Sequence, residues 1–174
     1  MPSLKEQHEI TIAEEFLKKL AFKAQFIRHG KDGIEPDVIY SVPGGALGIE
    51  IATAYYNDAQ AKAEWLIARG ITKFVSNLVK MGPVRNPDKL VSAALQREID
   101  DKCLKAYSGV DIAWLCIYQH APLSEVWETE DIITRLKIPS EQPFEKIYLG
   151  FYAPVKDGGG FRVYALKDGV HRSI

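Results

Sequence analysis

One short segment restricts the fold more than any other: two strand-like stretches joined by a tight turn. The stretches at 35–40 and 47–53 are both rich in apolar and β-branched residues, and a Pro-Gly-Gly sequence at 43–45 lies between them. Proline and glycine at such a junction are typical of a hairpin turn. Each stretch also contains a carboxylate, Asp37 in the first and Glu50 in the second. The segment therefore predicts an antiparallel hairpin with an acidic side chain in each strand.

The length of the loop decides whether the two acids share a face of the hairpin. With a two-residue loop at 43–44, Asp37 lies directly opposite Glu50. With the loop at 44–45, Asp37 lies opposite Ala52 instead, and the two acids become diagonal neighbours on the same face. A three-residue loop would separate the acids, because side chains alternate between the two faces of a strand. Both two-residue alternatives place the carboxylates within roughly 5–8 Å of each other.

Two carboxylates at this separation repel each other unless a cation lies between them. Their hard oxygen atoms suit Mg²⁺ or Mn²⁺, so the hairpin predicts a site for one of these ions. A simpler interpretation stays open, in which Asp37 belongs to a turn after Pro36 and Glu50 is a strand residue that faces water.

The composition of the chain limits the classes of function. A chain of 174 residues with 47% hydrophobic content can bury a substantial core, and we expect one domain over residues 1–174. The net charge of −1 provides no strong overall field toward nucleic acid, although a local patch can suffice. The segment from Met1 to Glu6 lacks the apolar core of a signal peptide, and no apolar run approaches the ~18 residues that span a bilayer. We therefore expect a cytoplasmic protein with no membrane partner.

The periodicity of the apolar residues predicts a mixed α/β order. Ser3 and Glu6 have the spacing of a capping box, which predicts a first helix to about Ala24, with Thr11 as a rival start. The continuous apolar run at 112–118 predicts a central strand covered on both faces. The other elements are predicted as a strand at 26–28, helices at 59–79, 88–107 and 124–136 or 129–136, and a C-terminal hairpin of strands at 147–152 and 161–166.

This order of elements, with the dipeptide Pro36-Asp37, a Gly-Gly turn and the sequence Gly-Ile-Glu-Ile around Glu50, resembles the core of the PD-(D/E)xK nuclease superfamily. The resemblance covers roughly residues 3–120. It implies a restriction-endonuclease-like α/β core (αβββαβ) with a mixed central sheet, to which this chain adds the C-terminal hairpin. Enzymes of the superfamily hydrolyse phosphodiester bonds with Mg²⁺, so the resemblance implies that Asp37, Glu50 and the main-chain carbonyl of Ile51 are metal ligands.

The chain departs from the superfamily's pattern at one position. The pattern has a lysine two residues after the glutamate, and this residue is Ala52 here. Some members are thought to supply the lysine from a neighbouring helix, so a cation on the predicted helix at 88–107 is the natural substitute. Lys102 lies at the border of the apolar stripe of this helix, and we predict that it is the migrated lysine. A surface lysine whose stem covers apolar residues is the alternative. The stripe consists of Leu95, Ile99, Cys103 and Ala106.

Two further residues are candidates through the same resemblance. Gln96 borders the stripe on its other side, where the resemblance would have it touch a metal-bound water or a phosphate; a surface glutamine is the ordinary interpretation. Glu9 lies among the apolar residues of the first helix, and in the superfamily an acid from this helix often completes the metal site. A frayed helix start is the alternative for Glu9.

The partner that the resemblance implies is nucleic acid, with DNA as the first expectation. A basic stretch at 62–89 suits contacts to a phosphate backbone, and it equally suits a solvated helix face. The sequence thus predicts a single nuclease-like domain that uses Mg²⁺ or Mn²⁺, with Asp37, Glu50, Lys102 and Gln96 as catalytic residues. Because the motif lysine is missing, the alternative is a catalytically inactive module of the same fold that binds nucleic acid or a protein. The oligomeric state stays open, a homodimer included.

Overall fold

The structure is a computed structural model that describes residues 2–55, 87–119, 126–153 and 159–167, except for the side chains of 87, 88 and 126–128. The predicted helix at 59–79 and most of the basic stretch at 62–89 lie outside the described residues. None of the helices in the described ranges has the length and apolar character needed to cross a membrane.

The described residues form an α/β arrangement in the order that the sequence predicts, and each predicted strand is present. The third helix begins before Thr129, so the later of its two predicted starts is wrong. The helices are α1 (Leu4–Lys19), α2 (Pro87–Cys103) and α3 (Val126–Arg135). The strands are β1 (Gln25–His29), β2 (Val38–Val42), β3 (Gly45–Ala54), β4 (Ile112–Gln119), β5 (Lys146–Tyr152) and β6 (Phe161–Ala165).

The six strands form one mixed sheet in the order β1-β2-β3-β4-β5-β6. Strand β2 is antiparallel to both of its neighbours, β1 and β3. Strand β4 is parallel to both β3 and β5, and β6 forms an antiparallel hairpin with β5. The residues of β4 from Trp114 to Ile117 are at most 3% exposed. The prediction of a central strand covered on both faces is therefore confirmed. Helix α1 packs on one face of the sheet, and α2 and α3 pack on the other.

The hairpin between β2 and β3 has the two-residue loop at 43–44. Val38 pairs with Ile49 in an antiparallel register without interruption to the turn. Continuing this register by one residue brings Asp37, which directly precedes β2, opposite Glu50. Of the two loop alternatives, the structure thus selects the one that places the acids face to face.

The capping box predicted at the start of α1 is present. The Ser3 Oγ atom accepts a hydrogen bond from the Glu6 amide at 3.2 Å, and the Glu6 carboxylate accepts one from the Ser3 amide at 2.5 Å. These bonds satisfy amide groups that have no partner inside the helix. The helix therefore begins at Leu4, and the rival start at Thr11 is wrong.

Helix α1 ends at Lys19, earlier than the predicted end near Ala24. The chain reverses here because Ala21 adopts a left-handed conformation with φ of +50°. The amide of Phe22 then donates to the carbonyl of Leu17 at 2.9 Å, the pattern of a Schellman motif. This end was not predicted because alanine is an uncommon residue at the left-handed position.

Helix α2 ends at Cys103, whereas the sequence predicted an end near Tyr107. Beyond this point the chain crosses to the turn before β2, where the amide of Ser108 donates to the carbonyl of Ile34 at 3.0 Å. Ala106 is exposed and does not belong to the apolar stripe, which corrects the prediction. The rest of the stripe is buried: Leu95, Ile99 and Cys103.

Candidate active site

The acid pair lies where β2 begins and where β3 passes through the middle of the sheet. Glu50 is only 3% exposed, and Asp37 is partly buried. Both carboxylates line a cavity of about 80 Å³ that Lys102 and Lys105 also line. A cavity of this size has room for a few water molecules. The two acids are therefore neither on opposite surfaces nor exposed strand residues facing bulk water.

The side chain of Asp37 is oriented by the strand that contains Glu50. Its Oδ2 atom accepts a hydrogen bond from the amide of Ile51 at 2.8 Å. The sequence predicted the carbonyl of Ile51 as a ligand, whereas the contact that is present at the acid pair is made by the amide. This bond ties the carboxylate of Asp37 to β3 next to Glu50.

Two lysines contact Glu50 from α2 and the residues that follow it. The Nζ atom of Lys102 is 2.6 Å from Glu50 Oε1, and the Lys102 side chain is 14% exposed. The Nζ atom of Lys105 is 3.4 Å from the same oxygen, with its side chain 43% exposed. Burial acts to lower the pKa of Lys102, but the Glu50 carboxylate and the charge of Asp37 together raise it above its usual value. Lys102 therefore remains a cation at neutral pH.

Ala52, the residue at the position of the pattern's lysine, lies in an apolar environment beside the acid pair. Ala52 is 2% exposed, and its side chain points to the same face of β3 as that of Glu50. It belongs to the apolar cluster that includes Leu95 and Ile99 of α2. A lysine at this position would bury its methylene stem in that cluster, whereas alanine fills the space without a charge. Lys102 reaches Glu50 from outside the cluster.

Glu9 reaches the same region from α1. Its side chain is 10% exposed, and Lys5, one turn earlier, is 3.4 Å from its Oε1 atom. Glu9, Lys5 and Asp37 line a second cavity of about 190 Å³. Burial raises the pKa of Glu9, although the neighbouring Lys5 opposes this change. Glu9 is thus a buried helix residue beside the acid pair, and the alternative of a frayed helix start is wrong.

The three carboxylates influence one another electrostatically. Burial, followed by the charges of Glu50 and Glu9, raises the pKa of Asp37 to about 6, although the Ile51 amide and Lys102 act in the opposite direction. The charge of Asp37 is therefore incompletely compensated in the folded chain. A cation that binds next to such a carboxylate stabilises its ionised form more than it would that of an acid already paired.

Gln96 forms its hydrogen bonds away from the acid pair. Its Nε2 atom donates to the carboxylate of Asp100 at 2.7 Å and to the carbonyl of Lys137 at 2.9 Å. Its Oε1 atom accepts from the amide of Lys137 at 2.8 Å. These bonds fasten α2 to the segment that follows α3, and Gln96 does not line the cavity at the acid pair. The structure therefore does not bring Gln96 to the site for which the sequence predicted it.

Tyr107 is a residue of the site that sequence reasoning missed. It lines the cavity beside Glu50, and its hydroxyl group is buried without a hydrogen bond of regular geometry to the described residues. Burial and the nearby Glu50 carboxylate raise the pKa of Tyr107. The only signal in the sequence was its position shortly after Lys105, in a segment that the periodicity assigned to a helix.

The donor atoms at the acid pair fit a hard divalent cation that other ligands complete. Among the described residues, no group of three or more His, Cys, Asp or Glu side chains could hold a metal ion. Magnesium, however, is usually bound by one or two carboxylates, with water and substrate phosphates at its other positions. Asp37 and Glu50 offer two facing carboxylates, and Asp37 lacks full charge compensation. The residues present therefore fit an ion of this kind only if Asp37 and Glu50 share it and water or a substrate phosphate occupies its other coordination positions.

Comparisons of the chain with protein-family models, curated proteins and solved structures find no match. Any function must therefore be argued from the acid pair, the two lysines and Glu9.

Proposed function

We propose that the chain is a metal-dependent nuclease that hydrolyses phosphodiester bonds in nucleic acid, with DNA as the first expected substrate. One observation carries the proposal: Lys102 of α2 contacts the acid pair of the β2–β3 hairpin, although the strand itself has Ala52 where the superfamily's pattern has lysine. The Nζ atom of Lys102 lies 2.6 Å from Glu50 Oε1. Asp37 and Glu50 are the proposed metal ligands, with Glu9 as a supporting acid. The fold is proposed to be of the restriction-endonuclease type.

The burial of the pair supports a chemical role for it. An acid whose charge is already compensated would be stabilised little by a further cation. The pKa of Asp37 is raised to about 6, so the charge of its ionised form is not fully compensated by its neighbours. A divalent ion bound there would polarise the scissile phosphate and lower the pKa of a water molecule. The role of Asp37 and Glu50 is to hold and orient that ion.

Lys102 has the properties of a fixed positive charge. Its raised pKa keeps it protonated, so it does not act as a general base. Its ammonium group is proposed to stabilise the negative charge that develops on the phosphate, or to orient the attacking water. Lys105, which is more exposed and lies farther from Glu50, is available to contact the substrate backbone.

Cleavage assays test this function directly. Plasmid and single-stranded DNA are incubated with Mg²⁺ or Mn²⁺ and, separately, with EDTA. The proposal expects cleavage only with metal, and its loss in Asp37→Ala. The matched control is Glu14→Ala, because Glu14 is an exposed acid of α1 that lines neither cavity at the acid pair. Equal activity in the wild type and Asp37→Ala would exclude the proposal.

A second candidate is a catalytically inactive module of the same fold that binds nucleic acid. The observation in its favour is that Lys102 and Lys105 already neutralise Glu50 within the chain, an ion pair that is stable without a metal. Gel-shift experiments in EDTA, run beside the cleavage assay, separate the two. A wild-type chain that retards DNA but never cleaves it favours the inactive module.

A further inference from the structure

A second concave site lies on the α1 face of the sheet, apart from the acid pair. It is a cavity of about 210 Å³ between α1 and the ends of β4, β5 and β6, and it shares no lining residue with the two cavities at the acid pair. Three aromatic residues form its sheet side, which we call the aromatic slot: Tyr118, Tyr152 and Phe161.

The strand pairing brings the three rings together. Tyr152 and Phe161 are direct partners in the β5–β6 hairpin, and their ring centroids are 5.2 Å apart. Tyr118 is the partner of Gly150 in the neighbouring parallel pair, and its ring centroid is 6.3 Å from that of Phe161. Gly150 is required here, because a Cβ atom would lie 2.5 Å from the rings of both Phe16 and Phe161. Because Gly150 has no side chain, the rings of Phe16 and Phe161 can pack directly against the backbone of β5.

Tyr152 is the outlier among the aromatic residues of β5. It is 56% exposed, whereas Tyr148 is 6% and Phe151 is 2% exposed. An aromatic residue that stays so exposed beside two other rings offers a face for a planar ligand. The opposite wall, from α1, is partly polar, since it includes His8, Thr11 and Glu15. The Thr11 hydroxyl donates to the carbonyl of Gln7 at 2.8 Å, and Glu15 contacts the hydroxyl of Tyr152. The slot therefore combines ring faces with hydrogen-bonding groups at its edge.

We infer that the aromatic slot binds a nucleobase with an exocyclic amino group, presented by a single-stranded stretch of nucleic acid; this choice of ligand rests on the proposed function. Aromatic side chains on a sheet surface stack unpaired bases with little dependence on sequence. The Glu15 carboxylate accepts from the Tyr152 hydroxyl and has further lone pairs for the amino group of the base, which selects cytosine over uracil. A duplex does not offer its bases in this way, because they remain stacked in pairs.

Calorimetric titration with cytidine 5′-monophosphate in EDTA tests the inference without any hydrolysis, since this probe contains no phosphodiester linkage. The wild type should bind it, and Tyr152→Ala should bind it roughly tenfold more weakly, the typical effect of losing one stacking ring. The matched variant Tyr152→Phe keeps the ring and should bind within about twofold of the wild type. Uridine 5′-monophosphate should bind more weakly than the cytidine nucleotide. Because Tyr152 is largely exposed, neither substitution should affect folding.

Three results would overturn the inference: no binding of the cytidine nucleotide by the wild type, equal affinity in Tyr152→Ala, or equally tight binding of ribose 5-phosphate. Equal affinity for the uridine nucleotide would contradict the role of Glu15. The metal-dependent cleavage assay is independent of these measurements. If the protein cleaves DNA but does not bind the nucleotide, the base-binding role of the aromatic slot is wrong and the nuclease proposal stands. If it binds the nucleotide but does not cleave DNA, the nuclease proposal is wrong and the base-binding role stands.

Discussion

Two carboxylates that are separated only by Pro36 have opposite environments. Both oxygens of Glu35 accept hydrogen bonds from the guanidinium of Arg28, at 2.7 and 2.8 Å, and the amide of Lys31 donates to it at 2.9 Å. These bonds lower the pKa of Glu35 to about 2. Asp37 accepts from one amide and faces two other acids, and its pKa is raised to about 6.

The contrast separates a carboxylate that holds the fold together from one that can bind a ligand. Glu35 favours its charged form because its partners are inside the chain, and it fastens the turn before β2 to β1. Asp37 disfavours its charged form because burial and Glu50 act against it. Strongly perturbed groups of the second kind are concentrated at functional sites. Glu35 and Asp37 are thus both carboxylates, two positions apart, and their different environments suit the first to stabilise the fold and the second to bind a cation.

The largest expected effect comes from matched substitutions of one acid from each environment. Asp37→Asn should reduce metal-dependent DNA cleavage more than about a hundredfold, because an amide replaces a carboxylate that we propose as a metal ligand. Glu35→Gln should leave the cleavage rate within about threefold. Glu35 lines the same two cavities as Asp37, but both of its oxygens already accept from Arg28 and are not free for a metal ion. Initial rates of plasmid cleavage, with circular dichroism as a check of folding, measure both. Equal losses in the two variants would remove the distinction between the environments.

The ion pair inside the acid site should be important for stability. Lys102→Met leaves Glu50 buried with the more distant Lys105, and we expect the free energy of unfolding to fall by about 3 kcal/mol. The double variant Lys102→Met/Glu50→Gln should regain most of this loss, because residue 50 then carries no charge that needs a cation beside it. Urea denaturation at pH 8 of the wild type, both single variants and the double variant measures this coupling. Additive losses in the double variant would show that Lys102 does not compensate Glu50.

The two environments also predict opposite dependences on pH. The raised pKa of Asp37 means that the folded chain binds a proton more tightly than the unfolded chain, so this group lowers stability as pH rises from about 4 to about 6. Asp37→Asn should therefore stabilise the metal-free protein by about 2–3 kcal/mol at pH 8 and by little near pH 4, since one pKa unit corresponds to about 1.4 kcal/mol.

Glu35 should behave in the reverse sense. Its lowered pKa contributes stability that is present above its ordinary value of 4.5 and is lost as pH falls toward about 2. Glu35→Gln should thus destabilise the protein at pH 7, and the difference should narrow with acidification. Urea midpoints between pH 3 and pH 8 test both variants. A loss of stability in Asp37→Asn at pH 8 would contradict the assigned environment.

The smallest effect is expected from Arg28→Lys. A lysine keeps the charge opposite Glu35 but cannot form the two parallel hydrogen bonds of the guanidinium group. Because the Arg28 side chain is 45% exposed, we expect a smaller shift of the urea midpoint than in Lys102→Met, and no change in cleavage. A shift as large as that of Lys102→Met would show that the turn before β2 is the more important ion-pair site.

Much of the candidate site was predictable because it follows from local geometry. The turn at 43–44 and the alternation of strand residues place Asp37 and Glu50 on one face. The helical wheel placed Lys102 at the border of a buried stripe, which is where a long side chain can reach the sheet. The same reasoning placed Glu9 on the buried face of α1.

What the sequence did not disclose depends on contacts between distant segments. Gln96 pairs with the backbone of Lys137, and no pattern within α2 indicates this partner. Tyr107 enters the site because the chain leaves the helix at Cys103 and crosses to the turn near Ile34. The strong pairing of Glu35 likewise depends on where the fold places Arg28.

Calorimetric titration with Mn²⁺ measures whether the facing carboxylates of Asp37 and Glu50 share a divalent cation. The wild-type chain should bind Mn²⁺ in a saturable manner, Asp37→Asn should lose this binding, and Glu35→Gln should retain it with unchanged affinity. A wild-type chain that binds no Mn²⁺, or an Asp37→Asn variant that binds it as tightly as the wild type, would contradict the account.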